Sequence, residues 1–350
     1  MSDANYAAVA STLGTIFEDD IVSSINRATV LLQMMPTGPS RSHTINWSVR
    51  FGTGTGKTTT DGADVDLTTD PGFDPKVPAQ LSHGIYMEPF AVTGLALAGA
   101  MATGNPAALK DLFAEELGDA IERLAKKLAI DLYTGDGTSG AMIGLYATAG
   151  ALRATGVYAG IDRAVRTQWA ATELLNGGVP RALTLDLMRD MRQRVYTASG
   201  KKPDLIICEP ALHTKYGKLL GQQRRYVQEV TLRGQRIVLD GGYYMLEFDG
   251  VPVLEDVDSP AGKMAFLTSR FLRLQQLPDA ITAVNQGMAQ VGVKGTDEEQ
   301  LGMPNAKLTA RINPLGRKGD KYVFQLILYP QLVNRRCNAS GYIGDLDATL

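Results

Sequence analysis

The sequence predicts an α+β protein organised around one very long helix, with an apolar arm before it and an extended β-hairpin beside it. Three observations carry this. Residues 105–133 hold an unbroken apolar stripe of helical period. Residues 43–51 alternate apolar and polar side chains, then run into a polar stretch rich in Gly, Thr and Asp. Short strand-like runs recur through the second half, separated by Gly and Pro turns.

The arm comes first. Ile16, Phe17, Ile21, Val22, Ile25, Val30, Leu31 and Leu32 recur at roughly helical spacing and stop at Pro36. Such a stripe must bury itself, either on its own domain or across a neighbouring subunit, and the sequence leaves both open. In the next segment Ile45, Trp47, Val49 and Phe51 share one face, opposite Thr44, Asn46, Ser48 and Arg50. A strand returning through Ile85, Tyr86, Met87 and Phe90 is expected to close a hairpin whose polar tip spans about 25 residues, far above the ~4–6 of ordinary loops. A two-stranded ribbon of this kind is marginal alone and needs something to lie on.

The helix itself carries Leu109, Leu112, Phe113, Leu117, Ala120, Ile121, Leu124 and Leu128 at i, i+3, i+4 and i+7 spacing. Asn105-Pro106 supplies its start and Gly135-Asp136-Gly137 its stop. Further helices are expected at 161–174, at 183–198 entered through Thr184, and at 210–220. Lys202–Glu209 reads as a strand buried on both faces. Strands follow at 231–238, 243–248, 251–254, 264–267 and 271–274, and a last pair at 307–312 and 322–328 is expected around a turn at Asn313-Pro314-Leu315-Gly316.

Several local patterns resemble chemistry and fail on inspection. GTGTGKTT at 52–59 suggests a phosphate-binding loop, but the required first glycine is Phe51 and no helix can follow Lys57 into Thr58-Thr59-Thr60-Asp61-Gly62. Cys208, Glu209 and His213 are close in sequence, yet a thiol inside an apolar run is an inert hydrophobe. His43 and His83 share no carboxylate. Asp61, Asp64, Asp66, Asp70 and Asp74 lack calcium-loop spacing and read as a solvated acidic tip. Arg224-Arg225, Arg233, Arg236 and Arg317-Lys318-Lys321 are solvated faces or partners for such a tip. No catalytic residue, cofactor or metal site is expected.

Composition narrows the class. A net charge of −2 disfavours a protein whose main task is to neutralise phosphates. Two cysteines far apart give neither a disulfide framework nor a metal cluster, which suits assembly in a reducing cytoplasm. The longest apolar stretch, 90–101, is too short for a membrane span of ~20 residues.

The order of elements resembles the HK97-type fold of tailed-bacteriophage major capsid proteins. The likeness is carried by Ala91-Val92-Thr93-Gly94 leading into NPAALKDLFAEELGDAIERLAKKLAIDLYTGDG, then Ile143-Gly144-Leu145, GIDRAVRTQWAA, PDLIICEPALHTKYGKLL and FDGVPVLEDVDSPAGKMAFLTSRFLRLQQLP. The resemblance implies an N-terminal arm at 1–40 and an extended loop at 41–92. It also implies a peripheral domain at 93–145 and 306–332 with a spine helix at 104–134, and an axial domain at 146–305 and 333–350. It implies a virion protein that self-assembles into hexamers and pentamers of an icosahedral head around double-stranded DNA, with portal, decoration and scaffolding proteins as further partners and no membrane contact. With the hairpin beginning by residue 43, no cleaved scaffolding segment is expected, hence a separate scaffolding protein or none. Trp47, Phe51, Tyr86 and Phe90 are the expected interface anchors of the hairpin, and Ile16 and Phe17 those of the arm. Some members crosslink a loop lysine to a neighbour's asparagine, which makes Lys57 a candidate donor and Asn334 or Asn338 a candidate acceptor. The same fold serves encapsulin-like cargo compartments, so the resemblance leaves that alternative beside the phage head.

Overall fold

The structure, a computed structural model, describes residues 30–51, 61, 76–102, 106–220, 229–232, 235–238, 246–277 and 311–350. Helix α1 (Val30–Met34) ends before Pro36, as expected, and Leu31, Leu32, Met34 and Met35 are buried in the chain's own core. The described end of the arm therefore packs in cis. Strand β1 (Thr37–Pro39) follows, then β2 (Thr44–Arg50) and β3 (Lys76–Ser82), which pair antiparallel from Thr44↔Ser82 to Arg50↔Lys76.

This pairing corrects the expected hairpin. The partner of β2 is β3, whereas the segment of Tyr86 and Phe90 forms β4 (Tyr86–Thr93) in a different sheet. Pro78 and the polar alternation of 76–82 hid a strand whose partner, not its composition, defines it. Helix α2 (Gly94–Ala102) then leads to the spine, α3 (Pro106–Thr134). At ~1.5 Å per residue its 29 residues span roughly 43 Å. Leu117, Ala120, Ile121, Leu124, Leu128 and Leu132 are buried along one stripe, the face the sequence assigned.

Two carboxylates fasten the end of this helix. Asp131 accepts from the Tyr86 hydroxyl at 2.8 Å and from Lys127 Nζ at 2.9 Å, and the Tyr86 oxygen in turn accepts from the Met142 amide at 3.1 Å. Asp256, buried, accepts from the Tyr133 hydroxyl at 2.7 Å and from the Leu31 amide at 3.3 Å. Burial, and then the adjacent Asp256 charge, pushes the Tyr133 phenol well up, so it remains a donor.

Beyond the spine, the helix expected at 161–174 is absent. The chain instead makes a tight turn with Ala159 and Gly160 at positive φ, a three-residue 3₁₀ helix at Thr167–Trp169, and strand β5 (Thr172–Leu174). Arg163, 1% exposed, organises this segment by donating to the Gly150 and Thr155 carbonyls at 2.7 and 3.0 Å. Trp169 Nε1 donates to Tyr158 O at 3.2 Å. A buried guanidinium that needs carbonyls unspent on a helix outweighs the local apolar spacing.

Helix α4 (Leu185–Ser199) does start at Thr184, whose side chain accepts from the Leu187 amide, and it ends at Gly200 in the left-handed region. Strand β6 (Leu205–Cys208), helix α5 (Pro210–Leu220), and strands β7 (Leu246–Phe248), β8 (Val251–Glu255), β9 (Met264–Leu267), β10 (Leu272–Gln276), β11 (Arg311–Lys318), β12 (Lys321–Leu328), β13 (Pro330–Asn334) and β14 (Gly341–Ile343) complete the frame. The run expected as one strand at 231–238 is a small hairpin, Glu229–Leu232 with Gln235–Val238.

Three sheets matter. The largest has the order β7-β8-β6-β9-β14-β5. Its strand β6 is wholly buried, with Ile206 and Cys208 in the core beneath α4 and α5, and Leu205 and Ile207 in the core that also holds the spine. The period of two thus joins two apolar layers through one strand. A second sheet has the order β11-β12-β4, and α3 packs on β4. The turn expected at 313–316 lies inside β11, as a bulge between Pro314 and Gly316; the chain reverses later, at Gly319-Asp320. The outer strands of this sheet each contain a proline, Pro89 and Pro314. In the third sheet β1 pairs parallel with β10, which pairs antiparallel with β13, so the arm's end becomes an edge strand of the body.

Asp256→Ala should cost about 2–4 kcal/mol, because it strands the Tyr133 hydroxyl and the Leu31 amide in the core. Urea denaturation measures this, and a loss under about 0.5 kcal/mol would show the carboxylate to be idle. Burial pushes the Cys337 thiol up to about 12 and Cys208 further still. Native protein at mildly alkaline pH should therefore take up almost no thiol reagent, and denatured protein both equivalents.

Candidate assembly surfaces

The hairpin offers the first surface. Ile45, Trp47 and Val49 lie opposite Leu81, Ala79 and Val77, so one face of the ribbon is a continuous apolar stripe. Ile45, Ala79 and Leu81 are buried at its base, whereas Trp47, Val49 and Phe51 are half-buried further out. The base is tied down by the Gln80 amide donating to Ala159 O at 2.9 Å. Phe51 meets Trp169 edge-to-face at 6.1 Å, and Arg166 lies over the Phe51 ring at 5.7 Å. The structure thus brings two of the expected anchors, Trp47 and Phe51, to one place.

Tyr86 and Phe90 are elsewhere, and the expectation that they line the hairpin is corrected. Both are buried inside the chain, where Phe90 stacks on Phe324 at 5.2 Å. The reason is that β4 gives its backbone to β12 over eight residue pairs and its inner face to the spine. Ile16, Phe17 and Lys57 lie outside the described residues. Asn334 is fully buried, its oxygen accepting from the Arg336 amide at 3.1 Å, so it is enclosed and cannot meet a neighbour's lysine in this conformation. Asn338 is half-buried and donates to Ala198 O at 3.2 Å.

A second surface escaped the sequence reading. A cleft of about 950 Å³ lies between the outer part of β2 and the body, with Trp47, Phe51 and Phe271 among its walls. Arg50, Arg270, Arg273, Arg335 and Arg336 also line it, and among the described residues no Asp or Glu does. Arg336 is held by Ser199 O at 2.6 Å and by the Phe271 ring at 5.5 Å. The other four form no ion pair among the described residues. Only the pairs Arg335-Arg336 and Arg270-x-x-Arg273 hinted at this site, because β10 and β13 must pair before those arginines meet.

The enzyme-like pattern at 208–213 is dispersed. Cys208 Sγ faces Leu254 O, Glu209 accepts from the Gly262 amide, and His213 faces Glu255 at 3.3 Å. Among the described residues no group of three or more His, Cys, Asp or Glu is placed to hold a metal, and no helix is long and apolar enough to cross a membrane. GTGTGKTT lies outside the described residues, as do Arg224, Arg225 and Arg233. Arg317 pairs with exposed Asp320 at 3.2 Å, an ordinary solvated contact.

Comparisons with known proteins agree with this frame. The fold is similar to a chain of the Cyanophage A-1(L) capsid asymmetric unit, with TM-score 0.68 and 23% identity over 90% of this chain and 92% of that one. It is also similar to the capsid of a native GTA particle, with TM-score 0.53 and 13% identity over 90% and 89% of the two chains. The encapsulin of the holo-SrpI complex from Synechococcus elongatus PCC 7942 matches with TM-score 0.53 and 13% identity over 91% and 88%. No curated protein matches the chain. These likenesses show an HK97-type capsid fold. The family model of the SU10 major capsid protein matches residues 6–302, so the chain belongs to the SU10 major capsid protein family and is a major capsid protein of a phage head.

Proposed function

We propose that the chain assembles with copies of itself into the hexamers and pentamers of an icosahedral phage head that encloses double-stranded DNA. Shell formation follows from surfaces and needs no active site. The observation that carries the reading is the β2–β3 ribbon, whose apolar stripe is buried at its base and half-open further out. Half-open apolar surface on a two-stranded ribbon is stabilised by a neighbour. Interlaced hairpins and arms let a thin subunit reach the ~2,000–5,000 Å² typical of obligate interfaces.

In this reading residues 1–40 are the arm and 41–92 the extended loop. Residues 93–145 and 306–332 form a peripheral domain, and 146–305 with 333–350 an axial domain. The two apolar cores support the division only in part: one is confined to the α4–α5 side of the large sheet, and the other runs from the arm through the spine to the sheet's opposite face. Contact with packaged DNA is non-specific, portal and decoration proteins are its further partners along with a separate scaffolding protein or none, and assembly takes place in the host cytoplasm. The encapsulin likeness keeps a cargo compartment as the second reading.

Expression of the chain alone followed by negative-stain electron microscopy should give closed shells or ring-shaped capsomers, and shell diameter separates a phage head from a small compartment. A uniform 37.6 kDa monomer that binds ATP, with binding lost in Lys57→Ala, would overturn the reading. Trp47→Ala should leave a folded subunit, since Trp47 is only half-buried, but should lower particle yield; normal shells from it would remove Trp47 as an anchor.

A further inference from the structure

The arginine-lined cleft has a composition that asks for an occupant. None of its five arginines makes an ion pair among the described residues, and none of its described lining residues is acidic. Trp47, on its wall, has an indole Nε1 with no acceptor among the described residues. Partial burial first, and then the charge of Arg273, holds Arg335 below its usual value. Like charges are gathered there without compensation, so an entering anion relieves repulsion as well as forming new hydrogen bonds.

We infer that this cleft seats the aspartate-rich stretch 61–74 of a second copy of the chain. The inference rests on the shell reading and adds to it the seat and the chemistry of one subunit contact. The stretch DGADVDLTTDPGFD carries five aspartates and no lysine or arginine. Within it Asp64-Val65-Asp66-Leu67 alternates, so in an extended conformation the carboxylates fall on one side and the apolar side chains on the other. The cleft likewise combines guanidinium groups with the aromatic rings of Trp47, Phe51 and Phe271, and Arg336 lies over the Phe271 ring at 5.5 Å. A nucleic-acid backbone matches the charge but has nothing to set against those rings. Asp61 itself is exposed and forms no ion pair among the described residues. An acidic segment of one copy in the cationic seat of another is a head-to-tail contact, the kind that closes into rings.

The test exchanges charge between the two surfaces. One full-length variant carries Arg273→Glu and Arg335→Glu; the other carries Asp64→Arg and Asp66→Arg. Each alone, folded by circular dichroism, should give at least ~tenfold fewer rings or shells than the unsubstituted chain. Mixed in equal amounts they should recover assembly, because each variant's stretch then complements the other's cleft. Recovery on mixing requires a contact between copies, since neither variant can complete it internally. Folded variants that assemble normally alone, or that fail to recover on mixing, overturn the inference. So does an Arg variant that forms shells but loses nucleic acid, which would make the cleft a phosphate site. If either variant does not fold, a synthetic peptide of residues 61–74 competes with assembly of the unsubstituted chain. It should inhibit where its Asp→Asn counterpart does not, and equal effects overturn the inference. The unsubstituted chain runs alongside: shells from it without rescue in the mixture sink the docking alone, and a uniform monomer that binds ATP sinks the shell reading.

Discussion

Two buried carboxylates decide how the pieces of this subunit are set against one another. Asp256 takes hydrogen bonds from the last turns of the spine and from the first amide of α1, while its own strand end belongs to the large sheet. Asp131, two residues before Tyr133 on the spine, takes the Tyr86 hydroxyl from the β11-β12-β4 sheet. Arm, spine and both sheets therefore meet within two turns of one helix. A buried charge with satisfied partners tolerates little displacement, because any shift strands a donor in an apolar core. Apolar burial supplies most of the stability, and these two groups make one arrangement of the layers acceptable.

The sequence made the local elements legible and the pairings much less so. The spine could be read because its stripe persists over many turns, and α4 because Thr184 and Gly200 mark both ends. Strand β6 was legible as a segment buried on both sides. The partner of β2 was not, since 76–82 is short, polar and interrupted by Pro78, while the more hydrophobic 85–90 offered a better-looking match. Pairing is settled by what the other face of a strand can bury, which lies far away in sequence. The same limit hid Arg163, whose carbonyl partners replaced an expected helix, and the clustered arginines of the cleft.

Of the four aromatics expected as hairpin anchors, Trp47 and Phe51 lie half-buried on the ribbon's apolar face, and Tyr86 and Phe90 lie in the interior. The second pair shows how a large aromatic is ambiguous in a chain that must build both a core and an interface. Side-chain type alone does not separate the two uses. The packing of the strand does, because the face of β4 that carries Tyr86 and Phe90 is closed by the spine, while Met87 on its other face stays exposed.

The prolines in the outer strands of the β11-β12-β4 sheet have a consequence for the chain before it ever meets a shell. An open strand edge is a template for indiscriminate pairing with any other open edge. Pro89 removes a donor from one side of the sheet, and Pro314 with its adjoining bulge and the charged Arg317 and Lys318 spoils the other. Edge-to-edge pairing between copies is thereby disfavoured. Growth of ordered particles in place of amorphous aggregate depends as much on these blunted margins as on any attractive contact.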